Sequence, residues 1–230
     1  MDGKMKGMIM AGMMGLSLIL GLMAVMGGSW LTSDEFMGEE MDDDDEVTYG
    51  LNALNIVAPD ADCDDDTVDA MEEYYDGMEI ECDGDTIIAT WAMSDQCDFY
   101  GDLVETYEDM GMEGDDIKEI TDAEDDACAA VTAGTMGTIG MWGGVVLALV
   151  ATLMMVLPMA GVDAMEAIPE IGQKIISWGA GGLMLLGMVL WYFMLPDGDS
   201  SMGSGLLMAG AAMSIGLGST LIGQFIEADE

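Results

Sequence analysis

The sequence predicts a membrane all-α four-helix bundle with a small α+β, disulfide-bonded extracellular domain inserted between the first and second transmembrane helices. Three observations carry this. The chain of 230 residues is 51% hydrophobic, yet its formal net charge is −41. Charge and hydrophobicity are segregated along it: 36 of the 45 carboxylates fall between Asp34 and Asp126, opposed there only by Lys118. All four cysteines lie in that same stretch.

A spanning helix needs about 20 apolar residues to cross a hydrocarbon core about 30 Å thick. Four segments reach that length, Gly7–Gly28, Val131–Pro158, Ile175–Leu195 and Gly203–Ile226, and none contains Asp, Glu, Lys or Arg. Lys4 and Lys6 precede the first, and Lys174 lies just before the third. Four crossings put those three lysines on one side, which the positive-inside rule makes cytoplasmic. The resulting plan is a cytoplasmic N-terminus (1–6), a span (7–28), an acidic extracellular domain (29–130) and a second span (131–158). A cytoplasmic loop (159–174), a third span (175–195), an outer loop (196–202), a fourth span (203–226) and a cytoplasmic tail (227–230) complete it. The first apolar run is longer than a signal-peptide core, and no small-x-small cleavage site follows it, so it is expected to remain as an anchor. Trp30, Trp142, Trp178, Trp191 and Tyr192 sit near helix ends, as interface anchors do.

Small residues recur every four positions on three spans: Gly7, Ala11 and Gly15; Gly140, Gly144, Ala148 and Thr152; Gly210, Ser214 and Gly218. Such stripes let helix backbones approach where lipid supplies no hydrophobic drive for association. Gly140, Gly144, Gly210, Ser214 and Gly218 are the predicted helix-packing residues.

Within the acidic domain, Leu31–Glu46 contains the run Asp42–Asp45 and reads as a solvated linker. Glu46–Val57 alternates Val47, Tyr49, Leu51 and Ala53 on one face and reads as a strand. Thr67–Tyr75 reads as a short helix. Met78–Cys82 and Asp85–Met93 read as a hairpin joined by Asp83-Gly84, a type I′ signal. Asp98–Met110 places Phe99, Leu103 and Tyr107 on one helical face. Thr121-Asp-Ala-Glu124 is a capping-box pattern that should start a helix running into the second span. The unit is expected to be one hairpin plus a third strand with two or three helices, around a core thin enough to need staples.

Cys63, Cys82, Cys97 and Cys128 supply the staples. Four cysteines allow three connectivities; Cys63–Cys82 with Cys97–Cys128 is the one favoured, in an oxidising compartment. A metal site is not expected, because there is no C-x-x-C and no His. Asp62-x-Asp64-x-Asp66 with Glu73 mimics a calcium loop but has Thr67 where position six needs Gly. The 27 Met residues could suggest soft copper(I) ligands, yet they spread over all spans as flexible packing residues.

Charge excludes other functions. Nucleic-acid binders need Lys or Arg to displace counterions, so no nucleic-acid partner is expected. The domain should bind cations non-specifically. A carboxylate coat with almost no lysine is similar to proteins of salt-adapted archaea, in which high ionic strength screens self-repulsion. With no His and one lysine in the domain, no nucleophile–base pair suggests an enzyme. No cofactor is expected. The spans lack the ionisable groups of a transport pathway, although Thr135, Thr138, Ser177 and Gln224 could form a polar pocket inside the bundle.

The plan resembles the claudin and peripheral myelin protein type of four-span protein: cytoplasmic N-terminus, a large first outer loop with cysteines, short later loops and a short tail. That family carries Gly-Leu-Trp ahead of two disulfide-bonded cysteines. Here Gly50-Leu51 is followed by Asn52, and Cys63 and Cys82 come later and farther apart. The resemblance implies a β-rich outer domain and a role in lateral or cell–cell contact. The sequence therefore predicts a structural or interaction protein of the cell membrane, of contact, adhesion or accessory-subunit type. Its partners would be membrane lipid and either other membrane proteins or a second copy of itself. The alternative is a small-solute or ion-handling membrane protein, or an accessory subunit of a transporter.

Overall fold

In the computed structural model, residues 3–36, 39–42, 44–61, 63–112, 114–162, 168–195 and 200–227 are described. The chain runs α1 (Gly3–Met26), β1 (Leu31–Ser33), β2 (Glu35–Phe36), β3 (Glu39–Glu40), β4 (Glu46–Tyr49) and β5 (Ala53–Ala58). It continues α2 (Asp65–Tyr74), β6 (Met78–Asp83), β7 (Thr86–Ala92), α3 (Met93–Asp109) and α4 (Asp115–Val156). After a 3₁₀ turn (Leu157–Ala160) come α5 (Glu170–Met194), β8 (Ser201–Met202) and α6 (Ser204–Glu227). Four helices are long and apolar enough to cross a membrane: α1, α4, α5 and α6. A small antiparallel sheet lies between the first and second of them in the chain, with two disulfides.

Two units form. One comprises Met1–Gly27, Gly137–Leu190 and Ser204–Glu230, and the other Gly28–Met136 and Trp191–Gly203. In the helical unit, α1 packs along α6. The contact is made by small side chains and hydroxyls. Buried Ser17 donates to the Ala212 carbonyl at 2.6 Å, and buried Ser219 to the Met10 carbonyl at 3.3 Å. Thr220 donates across to the Ser177 carbonyl of α5 at 3.0 Å. Each hydroxyl thereby finds an acceptor on a neighbouring helix, as burial requires. Outward positions such as Leu16, Ile19, Ile139, Val146, Leu153 and Leu207 are exposed and apolar.

In the sheet unit the strand order is β6-β7-β5-β4-β1-β8, with β2 and β3 forming a separate two-stranded ribbon. Alternation sets one face inward. Leu54 and Ile56 of β5 and Ala89 and Trp91 of β7 are buried together with Val47 and Met78. Tyr75 and Phe99 pack on Trp91 with ring centroids 5.5 and 5.3 Å away. The Trp91 indole N–H donates to the Asp76 carbonyl at 3.1 Å.

The sheet is larger than the sequence predicts, for local reasons. Glu46–Val57 is not one strand. It turns back at Gly50–Asn52, where the Gly50 N–H bonds the Ala53 carbonyl at 2.8 Å, and β4 and β5 pair from Glu46↔Val57 to Tyr49↔Leu54. The inward alternation therefore restarts at Leu54 rather than running through Leu51 and Ala53. The turn also docks on α4: a Cβ at Gly134 would overlap the Leu51 carbonyl oxygen, so only glycine fits there. The stretch read as a solvated linker contains β1, which pairs with β4, and the β2–β3 ribbon. Asp43 of its acidic run lies outside the described residues. Segments of two or three residues are held by their partners and carry no periodicity of their own.

Other boundaries shift similarly. In the β6–β7 hairpin Asp83 pairs with Thr86, so Gly84 and Asp85 form the turn; φ is positive at Gly84 (+64°) and not at Asp85. That is the φ pattern of type II′, with Gly first, rather than type I′. Helix α2 starts earlier than Thr67 because Asp64 caps it, accepting from the Thr67 N–H at 2.9 Å. Helix α3 begins at Met93, directly off β7, rather than at Asp98. Helix α4 begins at Asp115, not at the Thr121 box. The Thr121 hydroxyl donates to the Ile117 carbonyl inside the helix, and Lys118 pairs with Asp122 one turn on. Helix α5 begins at Glu170 behind Pro169, so Lys174 lies within its first turns, 2.7 Å from Glu170, rather than ahead of it.

Candidate functional site

The four cysteines form Cys63–Cys82 and Cys97–Cys128, with Cα–Cα separations of 6.0 and 4.9 Å. The first ties the segment ahead of α2 to β6, and the second ties α3 to α4. Both lie within the sheet unit, and together they constrain separations of 19 and 31 residues.

The Cys97–Cys128 bond sits beside a recess. A cavity of about 560 Å³ opens between β2, β4, α3 and the first turns of α4. Phe36, Tyr49 and Tyr100 supply rings to its wall, and Glu119, Asp122 and Asp126 supply carboxylates from α4. Their spacing, and that of Ala123, Ala127 and Ala130, keeps all of them on one helical face. Burial pushes the Tyr100 phenol up to about 12, with smaller contributions from Tyr49, Tyr75 and Tyr74, so its hydroxyl stays protonated. Burial also raises Tyr49. The Lys118 ammonium, 2.6 Å from Asp122, is occupied by that carboxylate.

The predicted packing residues divide. Gly140 and Gly144 lie where α4 meets α5: a Cβ at Gly140 would collide with the Gly187 Cα, and one at Gly144 would sit 2.8 Å from the Ala180 carbonyl oxygen. Gly210 has nothing within 4 Å of an added Cβ, Ser214 is exposed and bonds only the Gly210 carbonyl, and Gly218 meets only Met13 at an ordinary 3.7 Å. That stripe is not the packing face of α6. The packing face runs through Ala209, Ala212, Gly216 and Thr220, one register over. A Cβ at Gly216 would lie 2.9 Å from the Ser17 hydroxyl. Helix α5 makes a further close approach that the stripes did not include, where a Cβ at Gly181 would be 2.8 Å from the Leu217 backbone nitrogen. Both signals were present as small-x-x-x-small spacings in α5 and α6.

Three of the four residues expected to line a polar pocket have described side chains. Thr135 is exposed, Thr138 and Ser177 are half-buried, and the Gln224 side chain lies outside the described residues. Among the described residues of the helical unit, the buried hydroxyls are Ser17, Ser219 and Thr220. Of the calcium-loop mimic, Asp62 lies outside the described residues, and Asp64 serves as the α2 cap. Among the described residues no three carboxylates or thiols converge to hold a metal ion.

Comparison of the chain with protein-family models, curated proteins and solved structures finds no match.

Proposed function

We propose that the chain is a four-span protein of the cell membrane, with both termini cytoplasmic, and that its acidic sheet unit lies outside and makes contacts between molecules. The observation that carries this reading is the pairing of β8 with β1. Strand β8 comes from the connection between α5 and α6, and β1 from the long connection after α1. Four crossings put these two connections on the same side of a membrane, so they are free to share a sheet. Three further contacts hold this region together: Gly203 N–H to the Trp30 carbonyl at 2.8 Å, the Thr32 hydroxyl with the Ser201 hydroxyl, and the Trp30 ring against that of Trp191 at the end of α5, with centroids 4.9 Å apart.

Surface and charge support the same reading. Only 22% to 39% of each apolar window is buried within the structure, so most of that apolar surface faces outward, as lipid contact requires. The domain carries 36 carboxylates against one lysine, and that composition supports a salt-adapted extracellular setting in which cations condense on the surface non-specifically. The claudin-like plan adds contact within or between membranes as the analogy.

Vesicles separate this reading from the solute-handling one. Purified protein reconstituted into two vesicle populations, labelled with donor and acceptor dyes, should cluster them or associate within one membrane in molar potassium chloride. Leakage of trapped ions and small solutes should stay at the protein-free rate. Protein-dependent flux without energy transfer would replace the contact reading with the transport one.

A further inference from the structure

We propose that the cavity between β2, β4, α3 and α4 binds a small organic cation of the alkylammonium class. Its size, about 560 Å³, lies in the range of small-ligand sites, roughly 300–1,000 Å³. Its wall then selects the chemistry. Phe36, Tyr49 and Tyr100 contribute three rings, and Glu119 and Asp126 contribute carboxylates on the α4 side, while the third carboxylate of the wall, Asp122, is paired with Lys118. Rings attract a cation through their quadrupole, most strongly when the cation is weakly hydrated. Carboxylates repel anions. A quaternary or tertiary ammonium has apolar methyl groups for the rings and for Ala123, Ala127 and Ala130, and a diffuse positive charge for the carboxylates.

A bare metal ion fits less well. Hard cations need several oxygens converging at roughly 2.0–2.6 Å, and among the described residues no such group forms. The carboxylates here are spaced along a helix face, which suits a charge spread over a larger body. Tyr100, held neutral by burial, adds a hydroxyl and no competing anion. The Cys97–Cys128 bond, next to Gln96 and Ala127 of the lining, fixes α3 against α4 before any ligand arrives. This pre-organisation reduces the ordering cost of binding. The site lies wholly within the sheet unit and stands apart from the membrane reading above.

The test uses full-length protein in detergent with total chloride held constant, replacing potassium stepwise by tetramethylammonium. Unfolding of the sheet unit is followed by tryptophan fluorescence. The expected result is a saturable rise in unfolding temperature above the potassium baseline, since a ligand that binds only the folded state stabilises it by mass action. Glu119→Gln with Asp126→Asn, both exposed, should weaken tetramethylammonium by about tenfold, near 1.4 kcal/mol, while the variant melts normally in potassium chloride. Phe36→Leu should weaken it as well. Equal response to tetramethylammonium and potassium at every ratio, or undiminished binding in the doubly neutralised variant, would overturn the proposal.

Discussion

Tyr100 offers a sharp residue-level test. Its phenol is raised from 10.0 to about 12 in the folded unit, chiefly by burial. The neutral form is therefore favoured by folding. That contribution is complete below pH 10 and is lost as pH climbs through about 12. Thermal stability of the sheet unit should fall steeply over that window, and Tyr100→Phe should flatten the fall without abolishing it, because Tyr49 is raised too. An identical alkaline profile in the variant would remove Tyr100 as the titrating group. In the helical unit, Ser17→Ala deletes one interhelical bond and should cost about 0.6 kcal/mol, whereas Gly144→Leu drives a side chain into Met184 and Ala180 and should prevent α4 and α5 from packing. Denaturant titration in detergent distinguishes the two. Which glycines matter was only half legible in the sequence. Gly140 and Gly144 stand on a contact face, but Gly210, Ser214 and Gly218 share their spacing and point elsewhere. Helical period alone cannot choose between two small-residue registers on one helix.

At the level of elements, the long apolar helices were readable because about 20 uncharged residues in a row have few alternatives. Their ends were less so. Helices α4 and α5 extend into charged sequence, where Lys118–Asp122 and Lys174–Glu170 pairs cover exposed turns. The hairpin β6–β7 was legible from Gly84 and its flanking alternation. Strands β1 and β8 were not, since two or three residues define no pattern, and β8 lies about 170 residues from its partner (Leu31↔Met202). The disulfides act on this scale. Cys82→Ala breaks the bond to Cys63, releasing the loop constraint between the α2 approach and β6, at a cost of about 3 kcal/mol in chain entropy. The sheet unit should melt several degrees lower, and one thiol should become reactive. An unchanged melting temperature would mean that the aromatic cluster of Tyr75, Trp91 and Phe99 already fixes this region.

At the scale of the whole molecule the prediction comes from the charge count. The acidic stretch carries about −35 from 36 carboxylates and one lysine. At about 10 mM salt the Debye length is about 30 Å, so most of these carboxylates repel one another; at about 1 M it falls to about 3 Å. Self-repulsion weakens the compact state more than the expanded one. The sheet unit should therefore melt at a markedly higher temperature in molar salt, while helical signal from the four uncharged segments persists in both conditions. A salt-independent melting temperature would remove the salt-adapted reading. Topology is the central claim: the connections that meet at β1 and β8 lie outside, and the connection between α4 and α5 lies inside. Three single-cysteine additions at exposed positions test it, Glu79→Cys, Ser200→Cys and Val162→Cys, treated on intact cells with a membrane-impermeant thiol reagent. Labelling is expected at positions 79 and 200, and at 162 only after permeabilisation. Equal labelling at all three, or labelling of 162 with protection of 200 on intact cells, would contradict it.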